Sequence, residues 1–258
     1  MVFAWFRDAR RRKLIAARMP AAWSNVLRDN LWQYQRLESA QRLRLEAWVR
    51  VFVAERRWEG CDGLKLDNAM RVLIAGQAGL LVLGHEDWYF DRTPTILVYP
   101  EQYTARDVPH STGGGFTLVA DEDRSGEAWY RGPIILSWPE VYAGGRSPNR
   151  GHNLVIHEFS HHIDMIDDPY ADGKPPMPDQ QLDTLWDAIV PAEFEKLRQQ
   201  CVSGIRPLMN CYGATNPAEF FAVASETFFQ RPIEMNQQMP RLYDLFCRFY
   251  RLNPSRWL

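Results

Sequence analysis

The sequence predicts an α+β protein, helical towards both ends with a small mixed sheet between, and three observations carry that prediction. Apolar residues recur at helical spacing from about 23 to 83 and again from about 148 onward. Between about 94 and 138 they gather instead into short runs rich in β-branched and aromatic residues, separated by Gly, Pro, Asp and Ser. The 258 residues are 46% hydrophobic and 24% charged, which is the composition of a folded chain with a sizeable core. The expected organisation is a single domain over 1–258, with a helical part at about 20–90, the sheet at about 94–138, a central helix at about 148–166 and a helical C-terminal part at about 179–258.

The elements follow in order. Helices are expected at about 23–36 and 39–57, where Leu31, Tyr34, Leu37, Leu43, Trp48, Val51 and Phe52 keep helical spacing among basic residues. A third is expected at about 67–83, with Asp67 as a cap before Met70, Leu73, Ile74, Leu80 and Leu81. Thr95–Tyr99 reads as a buried strand, and further short strands are expected at 116–120, 128–131 and 134–138. Ser147-Pro148 pairs an N-cap with a proline at the first helical position, opening the helix at about 148–166. Further helices read at 179–189, 191–202, 217–230 and 239–251. Because strand 134–138 leads towards the central helix, one of its edges is expected near any site on that helix, where an extended peptide could pair with it.

Charge excludes less than it first promises. Residues 1–60 carry 13 Lys/Arg against 6 Asp/Glu although the whole chain is at −2, but most of these cations sit on the wet face of amphipathic helices. Only Arg10-Arg11-Arg12-Lys13 forms a run tight enough to meet an acidic partner or lipid surface, so no direct nucleic-acid partner is expected. No apolar run approaches the roughly 20 residues of a membrane span. The short apolar start followed by charge is not the order of a secretory signal. Cys61, Cys201, Cys211 and Cys247 lack any CxxC pattern and read as reduced, mostly buried thiols of a cytoplasmic protein.

Histidine is the unevenly distributed residue: four of the six, His152, His157, His161 and His162, lie within eleven positions. Residues 157–161 read His-Glu-Phe-Ser-His, an HExxH motif. On a helix, at about 100° per residue, His161 stands about 40° round from His157 and one turn along, so both imidazoles can face one ion. Two ring nitrogens at that spacing suit Zn²⁺, and Glu158, at the flank of the stripe, is placed to act on a water as general base. His152 and His162 point away on the same helical wheel and read as surface or outer-layer histidines.

A catalytic zinc needs a third protein ligand and an open position. Asp167, ten residues after His157, is the local candidate, but reaching it demands a sharp turn for which Asp164 is poorly suited. A later helix offers Glu219 or Glu226, seven residues apart and therefore nearly on one face, although Asn216 with Glu219 also makes a capping box that needs no metal. Geometry alone leaves these open.

The segment His157-Glu-Phe-Ser-His-His-Ile-Asp164, followed by Tyr212-Gly-Ala-Thr-Asn-Pro-Ala-Glu219-Phe-Phe-Ala222, resembles the zinc peptidases of the Mlc titration factor A family. It is also similar to the catalytic domain of anthrax lethal factor. The likeness to the family extends through Arg56-Arg57-Trp58-Glu59-Gly60-Cys61, Ile96-Leu97-Val98-Tyr99-Pro100, Gly126-Glu127-Ala128-Trp129 and 132–138, leaving about the first twenty residues and the loop at 171–180 unassigned. The resemblance implies a zincin-like fold, one Zn²⁺ per chain held by His157, His161 and Glu219, and Glu158 as base. It further implies that Tyr212 stabilises the oxyanion and that Asp164 orients an imidazole. His162 departs from the residues common at its position and stands where it could compete for metal.

The expected function is therefore a zinc-dependent, aminopeptidase-like peptidase acting on peptide substrates through a zinc-activated water. By resemblance it is linked to sugar uptake through a Mlc-type transcriptional repressor. Two alternatives stand beside it: a zinc amidohydrolase that does not cleave peptides, and a metal-containing binding protein that sequesters the repressor.

Overall fold

The computed structural model describes residues 2–86, 90, 91, 93, 95–101, 132–147 and 151–257, with side chains from Trp5 onward. The expected strands at 116–120 and 128–131, and Pro148, lie outside the described residues.

Helix α1 (Val2–Ala16) occupies the stretch that sequence left unassigned. Of its basic run one member turns inward: Arg11 is buried and pairs with Glu55 and Asp91, while the exposed Arg10 donates to Ala54 O at 3.1 Å. Helix α2 (Ala21–Asn30) ends earlier than expected, because Leu31 is extended and Trp32–Gln35 forms a separate 3-10 turn. In α3 (Ser39–Glu55) the chain leaves the helix at Arg56 and becomes strand β1 (Arg57–Gly60), which was not foreseen. One apolar residue, Trp58, is too little pattern to show a strand. Helix α4 (Asn68–Val82) is capped as expected, Asp67 accepting from Met70 N at 2.8 Å, and is buried along nearly its whole length.

Strands β2 (Thr95–Tyr99) and β3 (Ile134–Ser137) complete a sheet in the order β1-β2-β3, parallel throughout its described strands. Trp58 pairs with Ile96, and Val98 with Leu136. All four residues of β3 are buried. Trp138 does not extend the strand; it starts an unforeseen helix, α5 (Trp138–Arg146), whose Pro139 suits a first turn and whose paired glycines hid it from propensity.

The central helix α6 (Leu154–Asp164) is shorter than expected, and its cap is Asn153, not Ser147. Gly151 has φ of +66°, so residues 151–153 bend and Asn153 Oδ1 accepts from Ile156 N at 3.0 Å. Asn153 is held in turn: its Nδ2 donates to Gln77 Oε1 at 2.8 Å, and Gln77 Nε2 donates to Val141 O at 3.0 Å. Buried polar groups on α4, α5 and α6 thus satisfy one another and fix where α6 begins.

The C-terminal part is helical, with one merger and one addition. The two helices expected at 179–202 are a single α7 (Gln180–Val202) that runs through Pro191. Proline deprives only the carbonyl four residues earlier, that of exposed Asp187, which water can serve. Helix α8 (Pro217–Gln230) follows its Asn216 cap, then α9 (Pro232–Gln238) and α10 (Pro240–Tyr250). Residues Phe220 to Gln230 are all buried, and Phe220, Phe221, Phe228 and Phe229 have no exposed surface. Burying a side chain of that size contributes about 1.5–3 kcal/mol, so α8 is a central element of the core. Helix α6 packs against α8, α4, α5 and β3. Among the described residues, no helix is long and apolar enough to cross a membrane.

One cysteine reading is corrected. Cys201, at the end of α7, is bonded to Cys211, with Cα atoms 5.8 Å apart. Their separation of ten residues gave no motif, because the return of 203–210 to α7 is what brings them together. Cys61 and Cys247 are free.

Candidate metal centre

On α6 one face carries Val155, Ile156, Phe159 and Ile163 into the core, and the other presents His157 and His161. The side chain of Glu219, in the first turn of α8, meets them there: His157 Nε2 is 3.3 Å from His161 Nε2 and 3.1 Å from Glu219 Oε2, and His161 Nε2 is 3.5 Å from the same oxygen. These three residues form the group whose ligand atoms lie close enough to share an ion. A tetrahedron with bonds of about 2.0–2.1 Å has vertices about 3.3–3.4 Å apart, so the spacing is that of three corners around one zinc-sized ion. Glu219 Oε2 is moreover a buried oxygen without a hydrogen bond of acceptable geometry, which is the state expected of a ligand atom.

The alternatives for a third ligand separate on position. Asp167 is exposed in the turn after α6 and outside the group. Glu226 is buried behind His157, its Oε1 2.8 Å from Nδ1. Two turns of α8 put Glu219 and Glu226 on one face, as sequence reasoning expected, but on opposite edges of the same imidazole.

Electrostatics follow from this crowding. Burial resists ionisation of Glu219, but the neighbouring imidazoles outweigh it and hold its carboxyl down at about 2. Burial likewise opposes charge on His157, yet Glu219 and Glu226 raise it to about 10. Without metal, therefore, the cluster accommodates positive charge between its imidazoles and carboxylates, and a cation can take that place. Glu158 lies next to His157 and is pushed above the usual carboxylate range, chiefly by burial.

Tyr212 reaches the centre from a 3-10 turn, Cys211–Ala214, packed against α7 and α8. Asn210 Oδ1 accepts from Tyr212 N at 3.0 Å, Thr215 Oγ1 donates to Tyr212 O at 2.7 Å, and the Cys201–Cys211 bond ties the turn to α7. Gly213 lets the turn approach α8, since a Cβ there would lie 3.0 Å from Val223 Cβ. The Tyr212 ring is centred 5.9 Å from that of His157 and remains 54% exposed. What burial it has, with Glu219 and Glu158 nearby, raises its phenol to about 12, so it stays a proton donor at neutral pH.

Two expectations about neighbours change, and a third keeps its conclusion on different grounds. Asp164 does not hydrogen-bond an imidazole; its Oδ2 accepts from Gly173 N at 2.8 Å, while its Oδ1 and His161 Nδ1 are both buried without partners. The returning loop claims Asp164, because Gly173, at φ +84°, packs so closely on Pro217 that a Cβ would meet its carbonyl oxygen at 2.3 Å. His162 stands apart from the ligand group, bonded through Nδ1 to Thr93 Oγ1 at 2.8 Å, and burial lowers its pKa to about 4. His152 precedes the helix, so the wheel argument does not apply to it, and its Nδ1 lies 2.7 Å from Glu226 Oε2.

A helix bearing HExxH, joined by a carboxylate from a second buried helix in an α+β framework, defines a candidate metallohydrolase. The chain belongs to the glucose-regulated metallo-peptidase M90 family, whose model matches residues 5–251. It is 34% identical over 250 residues to "Uncharacterized protein slr2042" of Synechocystis sp., covering 96% of this chain and 90% of that one. It is 29% identical over 248 residues to "Mlc titration factor A" of Yersinia pestis and equally to that of Yersinia pseudotuberculosis, covering 93% of this chain and 89% of each relative.

Proposed function

We propose that this metallopeptidase is a zincin-like, zinc-dependent peptidase of aminopeptidase-like type, with His157, His161 and Glu219 holding one zinc ion and Glu158 and Tyr212 performing catalysis. The observation that carries the reading is the triangle of 3.1, 3.3 and 3.5 Å among the two Nε2 atoms and Glu219 Oε2. When held by these three residues, a zinc ion would supply Lewis acidity for activating a water near neutral pH and polarising a carbonyl. Glu158, on the same helix, takes the proton of the attacking water on its carboxylate and returns it to the leaving amine. Its raised proton affinity suits that two-way role. Tyr212 donates its phenolic proton in a hydrogen bond to the carbonyl oxygen as charge develops on it. Peptides are the substrate class, and the aminopeptidase-like preference rests on the motif resemblance.

The name Mlc titration factor A connects those relatives with Mlc. We extend that link to this chain as part of the proposal, with a Mlc-type repressor as partner and a cytoplasmic location. The Cys201–Cys211 bond weighs against the location, since such bonds are uncommon in a reducing cytoplasm.

The test is Glu158→Gln assayed with peptide amides beside non-peptide amides and esters. Wild-type cleavage of peptides, abolished in the variant with zinc retained, is the expected result. Activity confined to non-peptide substrates overturns the peptidase reading, and a cellular phenotype that survives loss of turnover makes repressor binding the function.

A further inference from the structure

Behind the ligand triangle lies a second arrangement, centred on a buried carboxylate, that the proposed chemistry does not use. Glu226 is 2% exposed, in the middle of α8. Its Oε1 lies 2.8 Å from His157 Nδ1; its Oε2 accepts from Asn153 N and lies 2.7 Å from His152 Nδ1. A carboxylate buried this deeply is retained at a cost unless its oxygens are satisfied, and here three donors from one short stretch of chain converge on it. His152 closes the arrangement at the surface, its side chain 47% exposed and its Nε2 3.6 Å from Glu140.

We propose that Glu226 is a positioning residue for the metal centre and that His152 holds it in place. The inference rests on the zinc reading given above. An ionised Glu226 only accepts, so His157 Nδ1 must donate to it. That fixes the tautomer, leaves the lone pair on Nε2, and aims it at the point shared with His161 Nε2 and Glu219 Oε2. The carboxylate that takes His157 Nδ1 on Oε1 takes Asn153 N on Oε2, tying the ligand to the helix cap, so ring orientation and the start of α6 are set by one group. His152 contributes by fixing the second oxygen of Glu226 from outside the core. By contrast, His161 Nδ1 is buried without a partner, which makes His157 the ligand whose orientation the protein specifies.

The experiment is zinc affinity, by competition with a chelator, of wild type, Glu226→Gln, His152→Ala and the double variant, with unfolding of each metal-free protein followed in parallel. Absorption spectra of the cobalt-substituted proteins report ligand geometry. Glu226→Gln keeps the size but replaces one acceptor oxygen with a donor NH2 facing His157 on one side or Asn153 and His152 on the other, and a loss of about 10–100-fold in affinity with altered cobalt bands is expected. His152→Ala, at a half-exposed position that tolerates truncation, is expected to weaken zinc less and to add nothing further in the Glu226→Gln background, because it acts through that carboxylate. Unchanged affinity in folded Glu226→Gln overturns the proposal, as do additive effects in the double variant. Should Glu226→Gln not fold, unchanged affinity and spectrum in His152→Ala overturn it alone. A wild type that binds no zinc, or Glu219→Ala that keeps it, contradicts the site itself and is thereby distinguished from failure of this inference.

Discussion

Glu219 Oε2 on α8 stands 3.1 Å from His157 Nε2 on α6, though the two residues come from elements separated by α7 and its return loop. That approach is enforced from outside the site: α8 is buried along its length, Asn216 caps it by accepting from Glu219 N at 2.9 Å, and Asn153 fixes the origin of α6. The cap that offered a non-metal explanation for Glu219 uses its backbone and leaves the carboxylate free for the imidazoles. The two readings were never exclusive.

Glu158→Gln is expected to bind zinc as wild type does and to lose turnover by about 10²–10⁴-fold, the usual contribution of a general base. Steady-state peptide hydrolysis beside metal analysis checks this. Retained turnover would remove Glu158 from the mechanism.

Tyr212→Phe removes one hydroxyl from a residue already 54% exposed, so folding should be unaffected. A fall of about 10²–10³-fold in kcat with little change in KM is expected from the loss of one oxyanion donor. An effect confined to KM would instead make Tyr212 a substrate-binding residue.

Cys201→Ser opens the bond that ties the Tyr212 turn to α7. For a loop of ten residues the chain-entropy relation gives about 2–3 kcal/mol of lost stability. Urea unfolding of the oxidised wild type against the variant measures it. Identical midpoints would show that the two sulfurs are not bonded in solution.

Asp164 is held at about 7 by burial, well above its ordinary value of 3.8. The sign follows directly: a folded state that binds the proton more tightly than the unfolded chain has this stability in full at low pH and loses it as pH rises through about 7. Metal-free Asp164→Asn should therefore gain on wild type between about pH 4 and 7, by an amount on the order of 1–3 kcal/mol, and gain no more above that. Unfolding free energies measured across this range decide it, and a difference independent of pH would show that Asp164 ionises freely.

The parts legible in the sequence were those fixed by local geometry. His157 and His161 follow from the pitch of a helix, and Asp67 and Asn216 from the chemistry of caps. Where several segments must meet, sequence reasoning ran short. Strand β1 carries one apolar side chain and depends on β2 for its pairing; α6 begins at Asn153 because of the bend at Gly151; and Glu219 could be preferred to Glu226 only through resemblance. His152 is an outer-layer histidine as expected, but not for the reason of helical pitch, since it precedes the helix. The role of Glu226 left one signal, its seven-residue spacing from Glu219, which shows a shared face but not which edge of an imidazole each carboxylate takes.

The central claim is tested most directly by zinc content per folded chain in wild type, Glu219→Ala, Glu226→Ala and Asp167→Ala at saturating metal followed by desalting. The account predicts one zinc in wild type and Asp167→Ala, a bound but weakly held zinc in Glu226→Ala, and none in Glu219→Ala. One zinc retained by Glu219→Ala while Asp167→Ala loses it would contradict the account.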